Sequence, residues 1–178
     1  MQKMILRSYQ SDAQAAIFKE WEEHSSTLLV LPTGTGKTVV FAFVISQIQP
    51  GRTLVIAHRE ELIFQARQKI EHITGLGCEI EMADQSAETD LFKRCQVVVS
   101  TIQTQTSGNA DWCRMHRFKP TDFSLLIIDE AHHACADSYK KLIDYYRQNP
   151  RLKVLGVTAT PDRADEAALG QTDGYLVN

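Results

Sequence analysis

A short apolar run at residues 27–31 leads directly into Pro32-Thr33-Gly34-Thr35-Gly36-Lys37-Thr38, and a helical pattern begins there. No other segment constrains the fold as tightly. Strand, glycine-containing loop and helix in this order are what a phosphate-binding loop requires. Glycines let the backbone turn until several amides aim at one anion. The helix that follows adds the positive end of its dipole. In that arrangement Lys37 reaches the β- and γ-phosphates of ATP, and Thr38 offers its hydroxyl to Mg2+. The general pattern has a further glycine five residues before Gly36, where this sequence has Leu31. The turn therefore falls to Pro32, Thr33 and Gly34.

Four more runs, at 53–57, 97–100, 124–129 and 153–157, are strand-length and mostly rich in Val, Ile and Leu. They do not alternate apolar with polar, which is how strands buried on both faces read. Residues 78–82 form a sixth, weaker candidate and 175–177 a seventh. Helical spacing lies between them: Ala13, Ile17 and Trp21 within 10–23; Val40, Phe41, Val44 and Ile48 within 37–48; Leu62, Ala66, Ile70 and Ile73 within 60–73; Tyr139, Leu142, Ile143 and Tyr146 within 137–147. Asp137 is expected to N-cap the last. Strands alternating with helices predict an α/β domain, a mainly parallel sheet of six or seven strands with helices on both faces. Such sheets place ligands at the carboxyl ends of their strands. Residues 108–122 are the least regular and read as a surface excursion, with Arg114, His116, Arg117 and Lys119 on a solvated face.

The run at 124–129 ends in two acids, Asp129 and Glu130. In a phosphate-loop protein a carboxylate at such a strand end lies beside the loop. Asp129 suits Mg2+, held through a water. Glu130, one residue on, suits the group that activates or orients the attacking water. Two adjacent acids with separate tasks fit hydrolysis better than nucleotide storage.

The chain has 178 residues, which suggests one domain. A chain near this size buries roughly 70% of its unfolded surface, enough for its own core. The net charge of −3 excludes nucleic-acid binding through bulk charge, so any such contact has to be local. The four cysteines, Cys78, Cys95, Cys113 and Cys135, form no Cys-x-x-Cys pair. With no secretory signal at the start, they read as reduced, and the location as cytoplasmic, or nuclear in a eukaryote. His132, His133 and Cys135 read as the opening of a helix rather than a metal set. No apolar stretch approaches the ~20 residues needed to span a bilayer.

Asp129-Glu130-Ala131-His132 resembles the DEAH box, and with Pro32–Thr38 it looks like the first motor domain of a superfamily 2 helicase. Other segments agree in order. Leu6-Arg7-Ser8-Tyr9-Gln10 resembles the adenine-reading motif of the branch that includes type III restriction and transcription-repair helicases. Ala57-His58-Arg59-Glu60-Glu61-Leu62 resembles motif Ia, Val99-Ser100-Thr101-Ile102-Gln103 motif Ib, and Thr158-Ala159-Thr160-Pro161 motif III.

The resemblance implies a RecA-like fold and roles for particular residues. Gln10, whose amide carries both donor and acceptor, would read adenine, with Arg7 nearby; a plain helix cap is the other reading. Arg59 would meet the nucleic-acid backbone, a task a guanidinium suits; a surface salt bridge to Glu60 or Glu61 is the alternative. Thr101 and Gln103 would bond phosphate or sugar without reading sequence, although Thr101 also suits a helix cap. Thr158 and Thr160 would bond His132 and couple the γ-phosphate to the nucleic-acid face. Superfamily 2 motors close ATP between two RecA-like domains, so residues 1–178 are expected to be the N-terminal ATP-binding domain of a longer protein. The branch favours DNA over RNA. A nucleotide-sensing module and a non-motor P-loop enzyme are the alternatives.

Overall fold

The computed structural model describes residues 5–109 and 111–159. The motif III residue Thr160 and the strand candidate at 175–177 lie outside them.

Six strands form one parallel sheet: β1 (Ser26–Val30), β2 (Thr53–Ala57), β3 (Cys78–Glu81), β4 (Val97–Thr101), β5 (Leu125–Asp129) and β6 (Lys153–Thr158). Their order across the sheet is β1-β6-β5-β2-β4-β3. Each apolar run becomes a strand because successive side chains supply opposite faces. Val55, Val99 and Ile127 point into one core, while Leu54, Ile56, Val98, Leu126 and Ile128 point into the other. β1 is the exception. It stands at an edge of the described sheet and leaves Val30 exposed.

The first core is covered by α1 (Ser8–Glu23), α2 (Lys37–Gln47) and α3 (Glu60–Thr74). The second is covered by α4 (Ile102–Thr106), α5 (Asp137–Tyr146) and turns near Met115 and Phe118. Right-handed crossovers explain the division. From β1 the chain crosses in one direction along the sheet to β2, and from β5 it returns the other way to β6, so α2 and α5 fall on opposite faces. All six strands then point their carboxyl ends to one side. The phosphate loop after β1 and the acids at the end of β5 meet there, separated only by β6.

One local expectation is corrected and one refined. Ala136, not Asp137, is the N-cap of α5; Asp137 is its first residue, where its charge favours the helix dipole. Residues 108–122 run over the surface as expected, with Gly108, Asn109, Trp112 and Lys119 exposed, but three side chains anchor the segment. Cys113, Met115 and Phe118 are buried there, packed into the second core beneath α5.

Candidate functional site

The loop after β1 is shaped by two glycines in left-handed backbone, Gly34 at φ +82° and Gly36 at φ +85°. Between them Thr35 closes a turn, its amide and hydroxyl both bonded to the Pro32 carbonyl at 3.3 and 2.6 Å. Gly36 caps α2, so the first amides of that helix, near Lys37 and Thr38, have no intrahelical acceptor and open toward the loop.

The N-terminal segment is tied to this loop. Gln10 is buried; its Oε1 accepts from the Arg7 amide at 3.0 Å, and its Nε2 donates to the Thr35 carbonyl at 2.9 Å. The Tyr9 hydroxyl donates to the same carbonyl at 2.8 Å, and the Arg7 guanidinium lies 3.4 Å from that hydroxyl. The helix-cap reading of Gln10 therefore holds, and the residue also tethers the loop. One amide hydrogen and one lone pair remain for a ligand. Ile5, Arg7, Gln10, Gly34, Gly36 and Val39 line a cavity of about 290 Å³.

Glu130 turns the chain sharply at the end of β5, in left-handed backbone at φ 53°. A non-glycine residue held there stores local strain, a feature common at functional sites. Its amide donates to Asp129 Oδ1 at 3.1 Å. The turn brings Glu130 Oε1 to 3.7 Å from Lys37 Nζ. Burial, and next the Glu130 charge, push the Asp129 carboxyl above its ordinary range; the Glu130 amide, Lys37 and His58 oppose this only in part. Negative charge is thus in excess at the strand end. His132 Nδ1 lies 3.4 Å from Glu130 Oε2 and 3.2 Å from the Thr158 hydroxyl at the end of β6. The contact expected between His132 and Thr158 is present.

The residues expected to meet nucleic acid are less uniform. β2 and β4 pair in register, Ala57 opposite Thr101, so Arg59 and Gln103 follow adjacent strand ends. Both are exposed. Arg59 precedes α3 and, among the described residues, makes no ion pair with Glu60 or Glu61. Thr101 requires a correction. It is 1% exposed, and its hydroxyl accepts from the Thr104 amide at 3.1 Å and bonds the Thr104 hydroxyl at 3.0 Å. It caps α4 and is shielded from a phosphate backbone.

In the basic segment after Gly108, Arg114 departs from the expected solvated face. Arg114 pairs with the buried Glu81, and its guanidinium donates to the carbonyls of Ala83 and Gln85 at 2.6 and 2.9 Å. Arg117 approaches Glu81 at 3.4 Å. His116 accepts from the Cys113 amide at 3.2 Å. Two of the four basic residues thus clamp one acid of β3, while His116, Arg117 and Lys119 remain exposed as expected of a solvated face. The stacking of His58 on His133, rings 4.1 Å apart at 13°, has no counterpart in the sequence reading, which gave His58 no role of its own and placed His133 at the opening of a helix. The available signal was a histidine directly after β2 and another in the turn that follows β5.

Comparison with known proteins agrees with this architecture. The family described as "Type III restriction enzyme, res subunit" matches residues 3–163. The "Putative ATP-dependent helicase IRC3" of Saccharomyces cerevisiae is 32% identical over 97% of the chain, which corresponds to 26% of that protein. The "DNA 3'-5' translocase XPB2" of Sulfurisphaera tokodaii is 30% identical over 92% of the chain and 32% of its own length. The chain thus spans about a quarter to a third of these relatives. Among solved structures, the Hef helicase domain of Pyrococcus furiosus superposes with a TM-score of 0.71 at 26% identity, over 88% of this chain and 33% of that one. With a RecA-like sheet, a phosphate loop facing paired acids and a family match across nearly its whole described length, the chain belongs to the type III restriction enzyme res-subunit family.

Proposed function

We propose that this chain is the ATP-binding domain of a nucleic-acid-dependent ATPase, a helicase or translocase acting on DNA, which hydrolyses ATP only together with a second RecA-like domain of the same parent protein. The observation that carries this reading is the approach of Lys37 to Glu130 at 3.7 Å, which joins the phosphate loop to the acidic strand end. The relative named as a DNA translocase supports the preference for DNA.

Gly34, Thr35 and Gly36 direct backbone amides at the phosphates, with Pro32 and Thr33 shaping the entry to the loop. Gln10 and Arg7 line the cavity in which the adenine edge is read. Lys37 leaves Glu130 for the β- and γ-phosphates. Glu130, freed of its ammonium partner, takes a proton from the attacking water as that oxygen bonds the γ-phosphorus and the β–γ bridging oxygen departs. The donor set suits a divalent cation, because two adjacent carboxylates face a single ammonium and Asp129 is raised by burial and next by the Glu130 charge. Thr38 and Asp129 would hold Mg2+, whose charge offsets that of the triphosphate. His132 links Glu130 to Thr158, and with Thr160 these residues report the state of the γ-phosphate. Arg59 and Gln103 face the nucleic-acid backbone.

An arginine supplied by a partner domain contributes roughly 10³–10⁵-fold in related phosphoryl transfer, so residues 1–178 alone bind ATP weakly and turn it over very slowly. The test is ATP turnover by the full-length protein with and without duplex DNA or RNA, repeated for Glu130→Gln. Stimulation by DNA that is abolished in the variant is expected. Turnover indifferent to nucleic acid, or phosphoryl transfer to a metabolite, overturns the proposal.

A further inference from the structure

The contacts beyond His132 continue past the phosphate site. The His132 ring lies 4.0 Å from the His133 ring, and His133 stacks nearly parallel on His58 at 4.1 Å. His58 directly follows β2, and the next residue, Arg59, is the N-cap of α3. Three imidazoles thus run from Glu130 and Thr158 to the residue before an exposed arginine. His58 Nδ1 is buried and, among the described residues, has no hydrogen-bond partner. A buried polar atom left unpaired is costly and calls for an explanation beyond packing.

We infer that His58 and His133 are positioning residues that couple the phosphate site to the nucleic-acid contact at Arg59, an inference that rests on the motor reading above. Stacked rings in van der Waals contact resist sliding and tilting, so displacement of one is passed to the next. The source of displacement is the strained turn at Glu130. Its ion pair with Lys37 competes with the triphosphate for the same ammonium, and the 3-10 turn that follows carries both His132 and His133. When Lys37 is drawn to phosphate, the Glu130 carboxylate and the neighbouring His132 are released to rearrange. His133 carries the change across to β2, where a shift of His58 re-aims Arg59. By linkage the same path runs in reverse: nucleic acid held by Arg59 biases the Glu130 turn. Neither His58 nor His133 touches the triphosphate in this scheme. Their loss therefore uncouples the sites without removing the chemistry.

The test uses the full-length protein, with turnover measured over a range of ATP concentrations up to saturation, with and without duplex DNA, for wild type, His133→Ala and His133→Phe. Coupling free energies correspond to about 5-fold or more in linked equilibria. His133→Ala is accordingly expected to retain DNA-free turnover and the KM for ATP, while DNA stimulation falls about 5-fold or more. His133→Phe keeps a flat ring against His58 and restores most of the stimulation, which a role limited to hydrogen bonding would not allow. Full stimulation in His133→Ala overturns the inference. So does an equal loss in both variants, or a parallel fall of DNA-free and stimulated turnover with Tm. A wild type that no nucleic acid stimulates instead overturns the motor reading, and the coupling with it.

Discussion

Replacing Glu81 by alanine tests the clamp that Arg114 and Arg117 close on β3. The Glu81 side chain is fully buried and takes Arg114 and Arg117 on one oxygen, while its other oxygen accepts the Ala87 amide at 2.7 Å. Glu81→Ala leaves that amide and Arg114 Nε without their acceptor, while the rest of the guanidinium keeps the Ala83 and Gln85 carbonyls. Breaking a buried pair from one side costs about 3–5 kcal/mol. Arg114 is 16% exposed and Arg117 33%, so water recovers part of the loss, and the lower end, about 3 kcal/mol, applies. For a domain of this size that lowers Tm by about 6–12 °C. Arg117→Ala removes only the longer, more exposed contact, at about 0–1 kcal/mol. Thermal unfolding followed by circular dichroism compares the two. ATP affinity should be unchanged, because β3 lies at the opposite edge of the described sheet from β1. A Glu81→Ala shift no larger than that of Arg117→Ala would refute the reasoning.

Further outcomes follow from the site and core. Gly36→Ala meets the backbone penalty of about 1–2 kcal/mol for left-handed geometry and also sets a Cβ 2.7 Å from Gln10 Nε2, whereas at Gly34 a Cβ meets nothing within 4 Å. Fluorescent-nucleotide titration should therefore find affinity reduced more by Gly36→Ala than by Gly34→Ala. Asp129→Asn should raise Tm at neutral pH. The folded-state carboxyl sits above its ordinary value of 3.8, so ionisation destabilises the folded form, and this cost is fully present above the raised value. The Tm advantage of Asp129→Asn should shrink as pH falls through that window and vanish below about 3.8, which a pH series of melts checks. Phe118→Ala removes a buried ring packed edge-on to Phe123 at 5.4 Å and should cost about 3–5 kcal/mol by urea unfolding.

The fold was legible because the runs at 53–57 and 124–129 carry apolar residues at successive positions over strand length, the pattern of strands covered on both faces. The loop was legible because its chemistry is local: glycines, lysine and threonine act within a few residues. What sequence hid depends on distance along the chain. Arg114 and Glu81 are 33 residues apart, and nothing near either indicates that the acid points inward. Gln10 and Thr35 are 25 apart, so a tether between them has no local signature. Thr101 has the same residue type whether it caps a helix or faces a ligand; burial alone decides. The edge strand β1 reads like the central ones because strand neighbours are set by topology rather than composition.

The claim on which the rest depends is that the Gly36 loop and the Asp129–Glu130 strand end hold one metal-bound triphosphate. Paramagnetic line broadening by Mn2+-ATP, recorded on the amides of isotopically labelled protein, addresses it directly. Broadening of residues 34–38 together with 129–132, absent in Lys37→Ala, is the expected result. Broadening confined to one of the two segments, or centred elsewhere on the sheet, would contradict it.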